Sequence, residues 1–372
     1  MNSNSNGYID YRFKILYAVG MIFIVSGHCH NGGISLFYDW FPPYTFHLAL
    51  FTFCSGYLYK SDDKKIKDYI FGKVKRLLIP YYLWNLFYAA VVLVLSFAGF
   101  TIGNKPDLYN FFIEPFISGH QYGYNLGGWY ALSLFIILCV NICLRKLFKR
   151  INSEINESVY FLFCLSIGIV GTYFASEGYN TGVFLITAKF SYLFPFFALG
   201  IFYRKVLEKH DKLSNWLYYT LIFSFVLFII LVFKRIPSYT PSFCNDFNDG
   251  PFMPFIIALP GIFFWLKTAK IVEPFIGRNK IVNLIADNSF CIMINHFAGF
   301  MLVKALMLGI RALSGMTKQF EIAFFKSDIY YFFTFEYGNN FLLVYLVAGI
   351  FVPILISLGI KKLSRLVSKT KK

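Results

Sequence analysis

Charge is scarce in this 372-residue chain, where only 15% of residues are Asp, Glu, Lys or Arg, against about 25% in a soluble domain. Acidic residues are the scarcer kind, 19 against 35 basic. Long polar or low-complexity stretches are missing, which excludes a disordered chain. A disulfide framework is missing too. Cys29, Cys54, Cys139, Cys143, Cys164 and Cys291 lie in or at the ends of apolar runs, and Cys244 has no loop partner. What fills the chain is apolar side chain, 57% of the total, with 47 Phe, 27 Tyr and 5 Trp. An ordinary soluble enzyme is excluded, and the aromatics suit interface belts around a helical bundle.

A spanning helix needs about 20 apolar residues. Runs of that kind predict an all-α, polytopic membrane protein of about ten transmembrane helices, at roughly 13–31, 44–60, 77–100, 127–148, 159–176, 183–203, 214–233, 253–270, 284–310 and 341–360. No intervening stretch is long enough for another domain, so residues 1–372 read as a single integral-membrane domain. The first run has no small-residue cleavage site after it, only Gly27-His28-Cys29-His30, and reads as a retained helix.

The net charge of +16 has no basic soluble domain to carry it, which argues against nucleic acid. Its distribution explains it better. Alternate segments, including the loop at 60–76 and the tail from Lys361, hold 27 of the 35 Lys and Arg residues. That excess marks the cytoplasmic side and places both termini there. The segments of the other side, at 32–43, 101–126, 234–252 and 311–340, are rich in Gly, Pro, Tyr, Asn and Asp. They are either solvated connections or part of a site.

Ionisable residues inside spans are costly and point to function. Lys14 and His28 are separated by about 21 Å of helix rise and lie on nearly one face, with Arg12 near the same end as Lys14. A neutral imidazole at that depth accepts a proton from a hydroxyl near physiological pH. Spacing alone leaves open a plain interfacial histidine bonded to a carbonyl. Metal ligation by His28 and His30 is disfavoured, because positions two apart on a helix diverge. Ser55-Gly56 reads as a close-packing site between helices. Lys73 and Arg76, with Lys75 between them, share a helix face and would hold a phosphate or anionic lipid heads. Asp287, Asn288, Asn295 and His296 crowd polarity into one span, which implies a lined cavity. Trp129-Tyr130 opens another span, as belt or as substrate contact.

Several blocks together resemble the integral-membrane acyltransferase 3 family: Gly27-His28, Phe46 to Leu58, Lys73-Val-Lys-Arg76-Leu-Leu-Ile-Pro80, Gly128-Trp129-Tyr-Ala-Leu, Pro195 to Arg204, and Ser289 to His296. Their order covers almost the whole chain. The resemblance implies an enzyme moving an acyl group, usually acetyl, from cytoplasmic acyl-CoA to a hydroxyl of a glycan or lipid-linked saccharide. It implies a multi-pass protein of the cell membrane, a bacterial inner membrane in particular, surrounded by lipid and needing no metal. The family's catalytic histidine falls on His28. Its arginine-x-x-arginine pair falls on Lys73 and Arg76, with lysine here in the first place, and Lys75, Lys14 and Arg12 join them as donor contacts. Trp129, Asn295 and His296 are the acceptor-side candidates, and Asn295, His296 or Ser26 the candidate oxyanion donors. No soluble esterase-like module is expected after the last span. The alternative is a transporter or flippase of glycan intermediates, which would have no use for a phosphate clamp or a lone deep histidine.

Overall fold

A computed structural model describes residues 9–29, 34, 36–37, 39–315, 320–333 and 341–370. His30 lies outside the described residues, as do parts of the 32–43 and 311–340 segments. The architecture is all-helical. In chain order the α-helices are α1 (Tyr11–Cys29), α2 (Pro43–Tyr57), α3 (Ile66–Lys73), α4 (Ile79–Phe97), α5 (Leu108–Phe112), α6 (Glu114–Ile117), α7 (Trp129–Ile151) and α8 (Glu157–Ser176). They continue as α9 (Gly182–Phe202), α10 (Asn215–Phe233), α11 (Met253–Ile276), α12 (Lys280–Asp287), α13 (Ser289–Ser314), α14 (Ile322–Ser327) and α15 (Phe341–Thr370).

Among the described residues, nine helical stretches are long and apolar enough to cross a membrane. The segment expected at 44–60 is α2, with 15 helical residues. It starts with Pro43 at its first turn, where a missing N–H costs nothing. All of α2 except Tyr44 and Ser55 is buried, so protein rather than lipid surrounds it. Two other boundaries differ from expectation. The stretch 60–76 is not a loop beyond its first residues. α3 runs through a π-helical turn at Val74–Leu78 into α4, giving one continuous stretch, Ile66–Phe97. The span expected at 284–310 is interrupted at Asn288, where α12 ends and α13 begins. Asp287 therefore sits at a helix end rather than inside a span.

α1 is the centre, packed against α2, α11, α12, α13 and α15, and α2 is in turn held by α9 and α11. The α2–α9 contact is a backbone approach. A Cβ on Gly56 would collide with the Phe197 carbonyl, and one on Gly200 with the Phe53 carbonyl. Small residues at such a crossing let helices approach where water supplies no driving force. α10 shows the opposite pattern. Only the stripe Tyr218, Ile222, Val226 and Ile229 is buried, the single seam of a helix otherwise facing lipid. The bundle thus has a polar-threaded interior with two chemically different ends.

Candidate active site

His28 lies in the last turn of α1, about 24 Å along the helix from Arg12. Its ring stacks on His296 of α13, with centroids 4.9 Å apart and planes at 29°. Phe297 and Tyr330 close two more sides, at 5.3 and 6.4 Å. Among the described residues, no side chain or carbonyl hydrogen-bonds the His28 ring. The titratable groups near enough to act on it are His296, His47 and His120. No carboxylate is among those groups. Glu114 accepts from Ser118 Oγ at 2.5 Å, and Glu177 is exposed at the end of α8.

The surrounding shell is fixed by backbone hydrogen bonds. Tyr44 Oη donates to the Gly27 carbonyl at 3.1 Å. Ser26 Oγ donates to Phe23 O and receives the Ile34 N–H, so it braces the end of α1 and has no proton left for an oxyanion. Asn295 is likewise spent. Its amide donates to Cys291 O at 2.9 Å and its carbonyl accepts from Tyr88 Oη at 2.7 Å. His296 Nδ1 meets Ile292 O at 3.1 Å while its Nε2 is buried and unpartnered. A carbonyl only accepts, so neutral His296 carries its proton on Nδ1 and presents a bare Nε2. It is an acceptor, not an oxyanion donor.

Two buried lysines hold the loops over this end. Lys189 of α9 donates to Ile117 O and Ser118 O at 2.8 and 2.9 Å, with its ammonium 5.0 Å from the Trp129 ring centroid. Trp129 is therefore covered by Lys189 and by Gly119, where an added Cβ would collide with it, and no ring contact joins it to His28 among the described residues. Lys304 of α13 donates to Ile329 O at 2.6 Å, beside Tyr330, and lies over the Phe332 ring. In the loop that Lys189 pins, burial, and then the charge of Lys189, lower the His120 imidazole from its ordinary range to about 4.

The opposite end gathers the charges. Arg12 is paired with Asp10 and Glu208 at 2.6 and 2.7 Å, and Lys14 with Asp287. Both were expected as donor contacts; both have carboxylate partners within the fold. Arg145, which sequence reading passed over, is 1% exposed and gripped by Asp62 and Glu157, with Lys205 joining the same carboxylates. Burial would raise the Asp62 carboxyl, but hydrogen bonds from Arg145 and Lys205 hold it below the usual range. Lys73 differs. Its ammonium lies 5.1 Å from the Tyr69 ring centroid with Arg76 and Lys64 as its charged neighbours, and no carboxylate among the described residues pairs with it. Lys75 points over Phe71 at 4.3 Å, and Lys75 and Arg76 are exposed.

A recess of about 770 Å³ lies between α8 and α9, lined by Phe163, Val170, Phe174 and Phe184 and open to the exterior of the bundle. It holds none of these groups. Among the described residues, no cluster of three His, Cys, Asp or Glu is arranged to hold a metal.

Neither curated proteins nor solved structures gave a match to the chain. A family model described as an acyltransferase domain, Acyl_transf_3, does match it over residues 10–361, nearly its full length. With an all-helical membrane bundle around a histidine pair, this chain belongs to the acyltransferase 3 family of membrane acyltransferases.

Proposed function

We propose that this acyltransferase takes an acyl group, most simply acetyl, from cytoplasmic acyl-CoA and places it on a hydroxyl of a cell-surface polysaccharide or lipid-linked glycan. The basic end and both termini face the cytoplasm of a bacterial inner membrane. The observation that carries the reading is the His28 ring, stacked on buried His296 with its nitrogens uncommitted.

His28 takes the proton of the acceptor hydroxyl as its oxygen attacks the thioester carbonyl. The tetrahedral adduct collapses, the C–S bond breaks, and the imidazolium returns the proton to the CoA thiolate. General-base help of this kind contributes about 10²–10⁴-fold. Lys73, Lys75 and Arg76 hold the CoA phosphates at the basic end, where Lys73 has no internal carboxylate to compete. The slender pantetheine arm then reaches along α1 toward His28.

Membranes containing the full chain, supplied with labelled acetyl-CoA, should place base-labile label on glycan. His28→Ala should abolish that label with protein abundance and acetyl-CoA binding retained. Substantial label from His28→Ala sinks the assignment of the base. Glycan movement across the membrane without acetyl-CoA consumption favours the transporter reading instead.

A further inference from the structure

Beside the histidine pair, a set of buried amides has its hydrogen-bond directions fixed from one carbonyl. Phe111 O only accepts, so the Asn85 amide NH₂ donates to it, at 3.1 Å. That turns Asn85 Oδ1 toward the loop before α7. Gln121 Nε2 donates to this oxygen at 2.8 Å and Asn125 Nδ2 at 3.4 Å. The opposite ends of both amides, Gln121 Oε1 and Asn125 Oδ1, are buried without a partner, and so is His296 Nε2. The side chains concerned are at most 2% exposed. Tyr81, beside Gln121 and Tyr122, adds a hydroxyl to the set, and Tyr122 another with no partner.

Gly127 and Gly128 bring the loop to this place. A Cβ at Gly127 would collide with Met293 O and come 3.2 Å from His296 Cε1, and one at Gly128 would lie 2.8 Å from the Tyr81 ring. Glycines at both positions let the loop lie against α13 at His296 and against α4 at Tyr81. Three bare acceptors and two hydroxyls, with no cation committed among them, call for a ligand that donates several hydrogen bonds and carries no negative charge. Buried acceptors left unmet cost stability, so such a group is retained where a ligand fills it.

We infer that Gln121, Asn125 and His296 Nε2, oriented by Asn85 and Ile292 O, form the subsite that holds the hydroxyl-rich, uncharged part of the acceptor beside His28. This rests on the acyltransferase reading above for its role, but its binding chemistry is separable.

The test uses the full chain in nanodiscs, with methyl α-D-glucopyranoside as probe and its permethylated and glucuronide counterparts as controls. Saturation-transfer NMR should show the free-hydroxyl glucoside bound in preference to both controls. Gln121→Met and Asn125→Leu should each weaken it about fivefold, with acetyl-CoA affinity unchanged. Equal binding of the permethylated or charged probe, indifference to both substitutions, or a parallel fall in acetyl-CoA affinity overturns the subsite. Hydroxyl-selective binding without any acetyl transfer leaves the subsite standing and removes the acyltransferase role assigned to His28.

Discussion

The two ends of the bundle treat polarity in opposite ways. At the basic end, buried charge is met within the chain: Arg145 by Asp62 and Glu157, Arg12 by Asp10 and Glu208, Lys270 by Asp211. At the histidine end, no carboxylate among the described residues pairs with His28, His47, His120 or His296, and acceptors on Gln121, Asn125 and His296 stay unmet. Both ends also leave some buried groups open: at the basic end these are the hydroxyls of Tyr59 and Tyr69 and the Asn141 amide nitrogen, and at the histidine end they include the three acceptors, which a hydrogen-bond-donating ligand would meet. Lys73 has no carboxylate partner among the described residues, which is why the donor phosphates are proposed to sit there.

If that division is right, the largest loss of stability comes from the basic end. Arg145→Met strands Asp62 and Glu157, at 17% and 10% exposure, with only Lys205 to meet them. Removing one member of such a buried network costs about 3 kcal/mol, read as thermal unfolding in detergent. Lys149→Ala, whose partner Asp63 is 97% exposed, should leave unfolding unchanged. Equal behaviour of the two variants would show that the Arg145 network is no more than a surface pair.

The next effect separates Lys73 from its paired neighbours. Lys73→Gln with Arg76→Gln removes two phosphate contacts and should raise the KM for acetyl-CoA about 100-fold, at about 1.5 kcal/mol or more per contact. Arg12→Gln should lower melting temperature with a KM close to that of the parent, because Asp10 and Glu208 already occupy its guanidinium. A donor KM that responds to Arg12 and not to the Lys73 pair would reverse the roles given to these residues.

How much of this was legible in sequence follows from the range of the signals. Apolar runs fix helices locally, so the spans were readable, and His28 stood out as an ionisable group inside one. The helix through 66–78 was hidden by its lysines, which suggest a loop until α3 is seen continuing into α4. The break at Asn288 was hidden because Leu284, Ile285 and Ala286 precede it and Phe290, Cys291 and Ile292 follow it. Arg12 and Lys14 were placed correctly along α1, but their partners Glu208 and Asp287 are remote in sequence. The amide set was the deepest omission. Its one signal was Asn85, a lone amide in the apolar run 77–100. Its meaning depends on a loop that Lys189 and two glycines press against α4 and α13.

The smallest effect is a difference in acid response between the ends. His120 is lowered to about 4 by burial and by Lys189, from an ordinary 6.5. The unfolded chain takes up this proton near pH 6.5 and the folded chain only near 4. The unfolded state therefore binds more protons between those values, and stability falls as pH drops through that window. Above pH 6.5 the contribution is fully present. Asp62 works from the other direction: its carboxyl is held below the usual range, so the stability it adds is lost only in more acidic solution. Between pH 7 and 5 the histidine end should therefore loosen first, by about 1 kcal/mol for a half-buried imidazole. Hydrogen exchange across 118–125 should accelerate over that interval while exchange around Asp62 and Arg145 does not. His120→Gln, which cannot titrate, should flatten the response of the loop. Loosening of both ends together, or a loop indifferent to the substitution, would remove His120 from the account and leave the contrast between the ends resting on hydrogen bonds alone.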